Sequence, residues 1–302
     1  MRLLVYLIFY GIVFPLSKLP FKALYVVSDG IYFLVYYVIG YRKKVVWQNL
    51  KNAFPEKSNA ELTVIRKQFY QNFCDLIVEN IKFFSITPEE ARSRCPIENP
   101  EVIDKFYVGH PCVFALTGHL ANWEFAGIGA GLGSKFWPVV SYKPFSNEAF
   151  EKMMTEIRSR YFSIVPYYCV KSETKKVMAT GRFEINKHNP KRKPVFIFLP
   201  DQAPSRKNSF HWVTFLNQET AFYTKVEDMA KELKLPMVFC DLQRLGRGKF
   251  NIHLTLLTEN AAKEPPLAIT NQYISLLEGC IQRNPANWLW SHKRWKRKRE
   301  VN

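Results

Sequence analysis

Val113-Phe-Ala-Leu-Thr-Gly-His-Leu-Ala-Asn-Trp-Glu-Phe-Ala-Gly127 is the stretch that decides the reading of this chain. Its first residues form a short, fully apolar run of the kind that makes a buried strand. Thr117-Gly118 follows, where glycine permits a tight turn. The pattern from Ala121 to Ala130 then predicts a helix. His119 is placed at the strand end and Glu124 about one turn into the helix. From there the carboxylate can reach back to one imidazole nitrogen, leaving the other to take a proton from a hydroxyl. The same two residues also fit a capping histidine beside a solvated glutamate.

Outward from this stretch, short apolar runs alternate with helical patterns. Cys112–Leu116, Trp137–Tyr142, Val195–Leu199, Met237–Cys240 and Phe250–Leu257 read as strands. Ala121–Ala130, Asn147–Arg160, Thr220–Leu233 and Leu267–Arg283 read as helices. A longer helix is predicted from Asn59 to Phe84, because Leu62, Ile65, Phe69, Phe73, Leu76, Ile77 and Ile81 recur at three or four. The alternation predicts an α/β fold with a mixed sheet flanked by helices.

The amino-terminal part has a different character. Leu3 to Phe14 is an unbroken apolar run, and a second extends from Ile31 to Gly40 before Tyr41-Arg42-Lys43-Lys44. Neither reaches the roughly 20 residues needed to cross a bilayer, which favours a shallow, monotopic or tilted anchor. A signal peptide and a buried hairpin compete with that reading, although no A-x-A-like cleavage site follows. The division expected is an anchor at 1–41, a catalytic domain at 42–290 and a basic tail at 291–302.

Forty-three Lys and Arg against 26 Asp and Glu give a formal charge of +17. Such an excess favours a polyanion, whether nucleic acid, an anionic bilayer or a phosphorylated substrate. No helix-turn-helix, RNA-binding or zinc-finger pattern supports nucleic acid. Six cysteines without a C-x-x-C pair fit buried small hydrophobes in a reducing compartment. No G-x-S-x-G elbow, Walker A loop, strand-bound G-x-G-x-x-G or H-E-x-x-H is present, so neither covalent serine chemistry nor a metal or nucleotide cofactor is expected. The glycines from Gly127 to Gly133 read as close helix packing.

The 113–127 stretch resembles the H-x4-[D/E] box of membrane acyltransferases, and the chain is similar to the lipid A late-acyltransferase family. The resemblance also rests on Gly40-Tyr-Arg42, Asn49-Leu-Lys-Asn-Ala-Phe-Pro55, Tyr142-Lys-Pro144, Arg158-Ser-Arg160, Leu199-Pro-Asp-Gln202 and Trp288-Leu-Trp-Ser-His-Lys-Arg-Trp295. It implies transfer of a fatty acyl chain from acyl-carrier protein or acyl-coenzyme A to a hydroxyl of an anionic lipid, a lipid A precursor. The place implied is the cytoplasmic face of the inner membrane. His119 would be the base and Glu124 its partner. Arg158 would hold an anionic group or help stabilise the developing oxyanion, with Arg160 as a substitute, and Asp201 would orient a basic partner or simply close a turn. Asn122 joins these as an expected substrate contact. A lyso-aminolipid or lysophospholipid acceptor, or a non-catalytic membrane-binding protein, are the rival readings. The chain departs from the family pattern at Ala203, Lys225 and Phe162, which bears on the choice of acceptor or chain length. Trp288, Trp290 and Trp295 fit either a lipid interface or a packed core, and Lys296 to Arg299 could meet phosphates or an acidic carrier.

Overall fold

The computed structural model describes residues 9–133, 135–140, 148, 151–152, 167–168, 193–204 and 210–299. Arg158, Arg160 and Phe162 lie outside them, as does most of the expected 147–160 helix. Strands β1 (Val113–Leu116), β2 (Trp137–Val140), β3 (Tyr167–Tyr168), β4 (Pro194–Phe198), β7 (Met237–Gly246) and β8 (Lys249–Thr258) form one sheet. The order is β3-β2-β4-β1-β7-β8. The strands run parallel except β8, which returns antiparallel to β7. All four residues of β1 are buried, as expected of a central strand covered on both faces. The fold is therefore the mixed α/β sheet that the strand–helix alternation predicts.

A register detail positions the site. β1 and β4 are parallel neighbours with Leu116 opposite Phe198. Continuing equally far past both ends brings His119 beside Asp201, at the carboxyl edge where α/β sheets place their ligands.

The helices among the described residues include α1 (Phe21–Tyr32), α2 (Lys43–Ala53), α3 (Asn59–Lys82), α4 (Pro88–Arg94), α5 (Trp123–Gly133), α6 (Lys225–Glu232) and α7 (Ala268–Arg283). α3 starts where Ser58 accepts the Glu61 amide while the Glu61 carboxylate takes the Ser58 amide, a reciprocal capping box. The glycines from Gly127 to Gly133 fall in α5.

The 220–233 segment departs from the helix expected there. Gln218–Tyr223 forms β6, paired antiparallel with β5 (Phe210–Phe215), and α6 begins at Lys225. Leu216 and Asn217 join the strands with φ of 50° and 59°. Two positive φ values are what a tight hairpin turn needs. Leucine in the first position hides that turn from a sequence reading.

The amino-terminal helix is longer than the apolar run at 31–40. α1 starts at Phe21 and continues as a widened turn through Ile39, ending at left-handed Gly40. Phe21–Ile39 is long and apolar enough, by length and composition, to cross a membrane, and 22% of it is buried. Phe21, Leu24, Tyr25 and Ser28, spaced as one helical face, are buried, and α1 packs on α3. Val26, Phe33, Leu34, Tyr37, Val38 and Ile39 are more than half exposed. Lys82 on α3 donates to the carbonyls of Ser17 and Leu19, tying the preceding turn to the body.

The carboxyl-terminal tryptophans belong to the core. Trp288 and Trp290 are buried, and Trp295 donates to Thr220 Oγ1. Arg294 is also buried, donating to the Ala221 carbonyl and lying over the Phe222 ring. Asn49 on α2 donates to the carbonyls of Trp290 and His292, and Arg42 donates to that of Ser291. Residues 291–295 are thus packed against the body of the protein. Lys296, Lys298 and Arg299 are exposed.

Candidate active site

The loop between β1 and α5 is fixed from several sides. The Thr117 amide donates to Phe198 O, its hydroxyl donates to Cys240 O, and its carbonyl accepts from Tyr273. Gly118 follows for want of space. A Cβ there would lie 2.6 Å from Leu277 Cδ1 and 3.4 Å from Asp201 Oδ2. Ala121 is left-handed, with φ of 45°, and its amide donates to Asn287 O. A tight turn does start at Gly118, the Leu120 amide donating to the Gly118 carbonyl at 2.7 Å, and the close approach to Leu277 is what leaves no room for a side chain.

His119 is clamped by Asp201. The imidazole Nδ1 is 2.6 Å from Asp201 Oδ1, and the His119 backbone amide donates to Oδ2 at 2.9 Å. Trp288 Nε1 donates to the same Oδ2 at 2.9 Å. Asp201 is 1% exposed, so nearly all of its solvation comes from these groups. A carboxylate on Nδ1 selects the tautomer protonated there and leaves Nε2 as an acceptor. Gln202 Nε2 faces that nitrogen at 3.0 Å, and the Trp123 ring meets the imidazole edge-on at 5.0 Å.

The electrostatics follow. Burial alone would lower the His119 pKa, but the Asp201 charge and hydrogen bond outweigh it, with help from the Glu124 charge, and the pKa is raised. Burial alone would raise the Asp201 pKa. Its imidazole partner, the His119 amide and the Trp288 indole outweigh that and hold it at about 2. His292, whose buried Nδ1 has no hydrogen-bond partner among the described residues, is pushed by burial to about 4. It is neutral at pH 7.

The expected site residues have four different outcomes. His119 and Asp201 are brought into direct contact. Glu124 lies in the first turn of α5 and acts on the imidazole through its charge, while the ring's hydrogen-bonding carboxylate is Asp201. Asn122 is 1% exposed, and its carboxamide is engaged within the protein. Oδ1 accepts the Phe125 amide at 3.0 Å, capping α5, and Nδ2 donates to Glu79 Oε2 at 2.9 Å. Arg158 and Arg160 lie outside the described residues. Three contributors were not singled out from sequence: Gln202, Trp288 as a donor to Asp201, and Glu79. Gln202 and Trp288 stand in segments that were, Leu199–Gln202 and Trp288–Trp295.

Among the described residues no group of three or more His, Cys, Asp or Glu side chains is placed to hold a metal ion. This arrangement can take a proton at Nε2, with Asp201 steadying the resulting imidazolium. Comparison with curated proteins finds no match. The model of the bacterial lipid A biosynthesis acyltransferase family matches residues 1–297. With nearly its whole length covered, this chain belongs to the bacterial lipid A biosynthesis acyltransferase family.

Proposed function

We propose that this acyltransferase moves a fatty acyl chain from a thioester carrier to a hydroxyl of a lipid A precursor, with His119 as general base. The observation that carries this reading is the Asp201 clamp on Nδ1, which points the basic nitrogen away from the buried carboxylate. The acceptor hydroxyl replaces Gln202 at Nε2 and gives up its proton as its oxygen attacks the thioester carbonyl. The tetrahedral intermediate collapses by breaking the C–S bond. The leaving thiolate then takes the proton back from the imidazolium, so no acyl-enzyme is needed. Asp201 keeps the ring oriented in both proton transfers, and the Glu124 charge supports the cationic form.

Arg158 and Arg160 are assigned to anionic groups of the lipid, since a guanidinium fork matches phosphate geometry. Acyl-carrier protein, or alternatively acyl-coenzyme A, is the donor. Both are acidic, in keeping with the +17 charge. The exposed apolar face of Phe21–Ile39, with Lys18, Lys22, Arg42 and Lys44 exposed at its ends, is the contact with the cytoplasmic face of the inner membrane.

Lipid mass spectrometry of cells with and without the protein tests the acceptor. Loss of one acyl chain from lipid A alone is the expected result. Loss from an aminolipid or phospholipid would move the acceptor and leave the chemistry in place. Unchanged lipids in all classes would overturn the reading.

A further inference from the structure

Glu79 is the most completely enclosed acidic side chain among the described residues, with 0% exposure in the last turn of α3. Its two oxygens face donors only. Oε1 accepts from Tyr25 Oη at 3.1 Å, from the Gly248 amide at 3.1 Å and from Arg244 Nη1 at 3.5 Å. Oε2 accepts from Asn122 Nδ2 at 2.9 Å. The carboxylate thus joins three parts of the chain: the apolar amino-terminal helix, the β7–β8 turn and the loop that carries His119. Arg244 is held in turn by Asp75, and Asp75 also accepts from Ser28 on α1.

The link to Asn122 has a direction. Ionised beside the Arg244 cation, Glu79 only accepts; Asn122 presents its NH2 to it, and this aims Oδ1 at the Phe125 amide. That cap fixes the first turn of α5, which carries Trp123 against the imidazole and the Glu124 charge near it. We propose that Glu79 is a positioning residue for the acyl transfer, acting through the orientation of Asn122 to set the start of α5 beside His119. The proposal deepens the acyl-transfer reading and rests on it for its kinetic part.

An isosteric substitution tests this without changing volume. In Glu79→Gln, the new carboxamide keeps its oxygen toward Tyr25, Gly248 and Arg244, because the Gly248 amide and the Arg244 guanidinium are donors only and cannot face an NH2. Its NH2 then meets the NH2 of Asn122, which must flip and withdraw Oδ1 from Phe125. Asn122→Asp alone sets two carboxylates against each other. Combining the two restores every hydrogen bond with the carboxylate moved to position 122, so the pair forms a reciprocal double-mutant cycle.

The full-length protein in phospholipid vesicles is assayed with labelled acyl-carrier thioester and a lipid A precursor, and hydrogen exchange is followed at the 122–127 segment. For Glu79→Gln we expect kcat about 100-fold lower with KM changed by less than about threefold, a positional loss more than a binding one. Exchange of the Phe125 amide should be on the order of fivefold faster, as for a lost helix cap. The double variant should recover protection and bring kcat to within about tenfold of wild type. If Glu79→Gln fails to fold, recovery in the double variant carries the same conclusion. Two results overturn the proposal: a double variant no better than Glu79→Gln in exchange and kcat, or restored protection without restored kcat. A wild-type protein that transfers no acyl group sinks the acyl-transfer reading instead, and the exchange cycle then decides the Glu79–Asn122 link by itself.

Discussion

Asp201 and Glu79 are both carboxylates buried from solvent and surrounded by donors, yet their proton affinities move in opposite directions. For Asp201 the imidazole, the His119 amide and the indole outweigh burial, and the pKa falls to about 2. For Glu79 burial prevails over Arg244, Asn122 and Tyr25, and the pKa rises. The difference lies in the partner. Asp201 has a titratable ring to itself, so its charge raises the proton affinity of that ring, the proposed base. Glu79 shares Arg244 with Asp75 and otherwise meets neutral donors. Its contribution is geometric: it sets which way an amide points. Buried carboxylates of equal enclosure can therefore serve reactivity at one place and position at another.

The largest break in this comparison comes at Asp201. Asp201→Asn should lower kcat by roughly 10³-fold, because it removes both the tautomer preference and the stabilised imidazolium. It should also move the acid limb of the rate profile to lower pH. His119 must be neutral to act, its wild-type pKa lies above 6.5, and without the anion burial pulls it down. A pH–rate series on both proteins checks the direction. The clamp also has a stability signature. A depressed Asp201 pKa stabilises the fold above the unfolded value of about 3.9, and that contribution fades as pH falls through about 2. Acid unfolding should therefore start at higher pH in proteins where the clamp is weakened.

Gly118→Ala comes next. The added Cβ meets Leu277 at 2.6 Å and presses toward Asp201, so we expect a loss of about 1–3 kcal/mol in thermal unfolding, with lower kcat. A smaller effect is expected from charging the apolar face. Val38→Lys with Ile39→Lys should weaken vesicle binding by about tenfold in flotation assays, while turnover of a detergent-dispersed acceptor stays nearly unchanged. Trp288→Phe should have the least effect. It deletes one of three donors to Asp201, raising the Asp201 pKa and lowering kcat by roughly fivefold, the equivalent of one hydrogen bond.

Much of this architecture is legible in the sequence, for physical reasons that differ by element. β1 and α5 are readable because a buried strand and an apolar helix meet within a few residues around Gly118. α3 is readable from its apolar spacing, and Ser58 and Glu61 mark its start. The β5–β6 hairpin is obscured because its turn is Leu216-Asn217, with no glycine to announce two positive φ values. The start of α1 is obscured by Lys22, Ser28 and Asp29, which interrupt the apolar pattern. Ser28 and Asp29 turn out to bond to Asp75 and Arg247. Local spacing offers Glu124 as the partner of His119, being five positions away. The Asp201 contact arises from the parallel register of β1 and β4 across 82 residues, which no local pattern encodes. Glu79 reads as an interrupted helix face until the loop that it holds is in place.

The central claim is that the Nε2 of His119, held by Asp201, is the base for acyl transfer. The measurement that tests it most directly is transfer of a labelled acyl chain from acyl-carrier thioester to a lipid A precursor by vesicle-bound wild-type and His119→Ala proteins of equal thermal stability. The account predicts robust transfer by the wild type and a loss of at least about 10³-fold in the variant. Transfer by His119→Ala at the wild-type rate would contradict it.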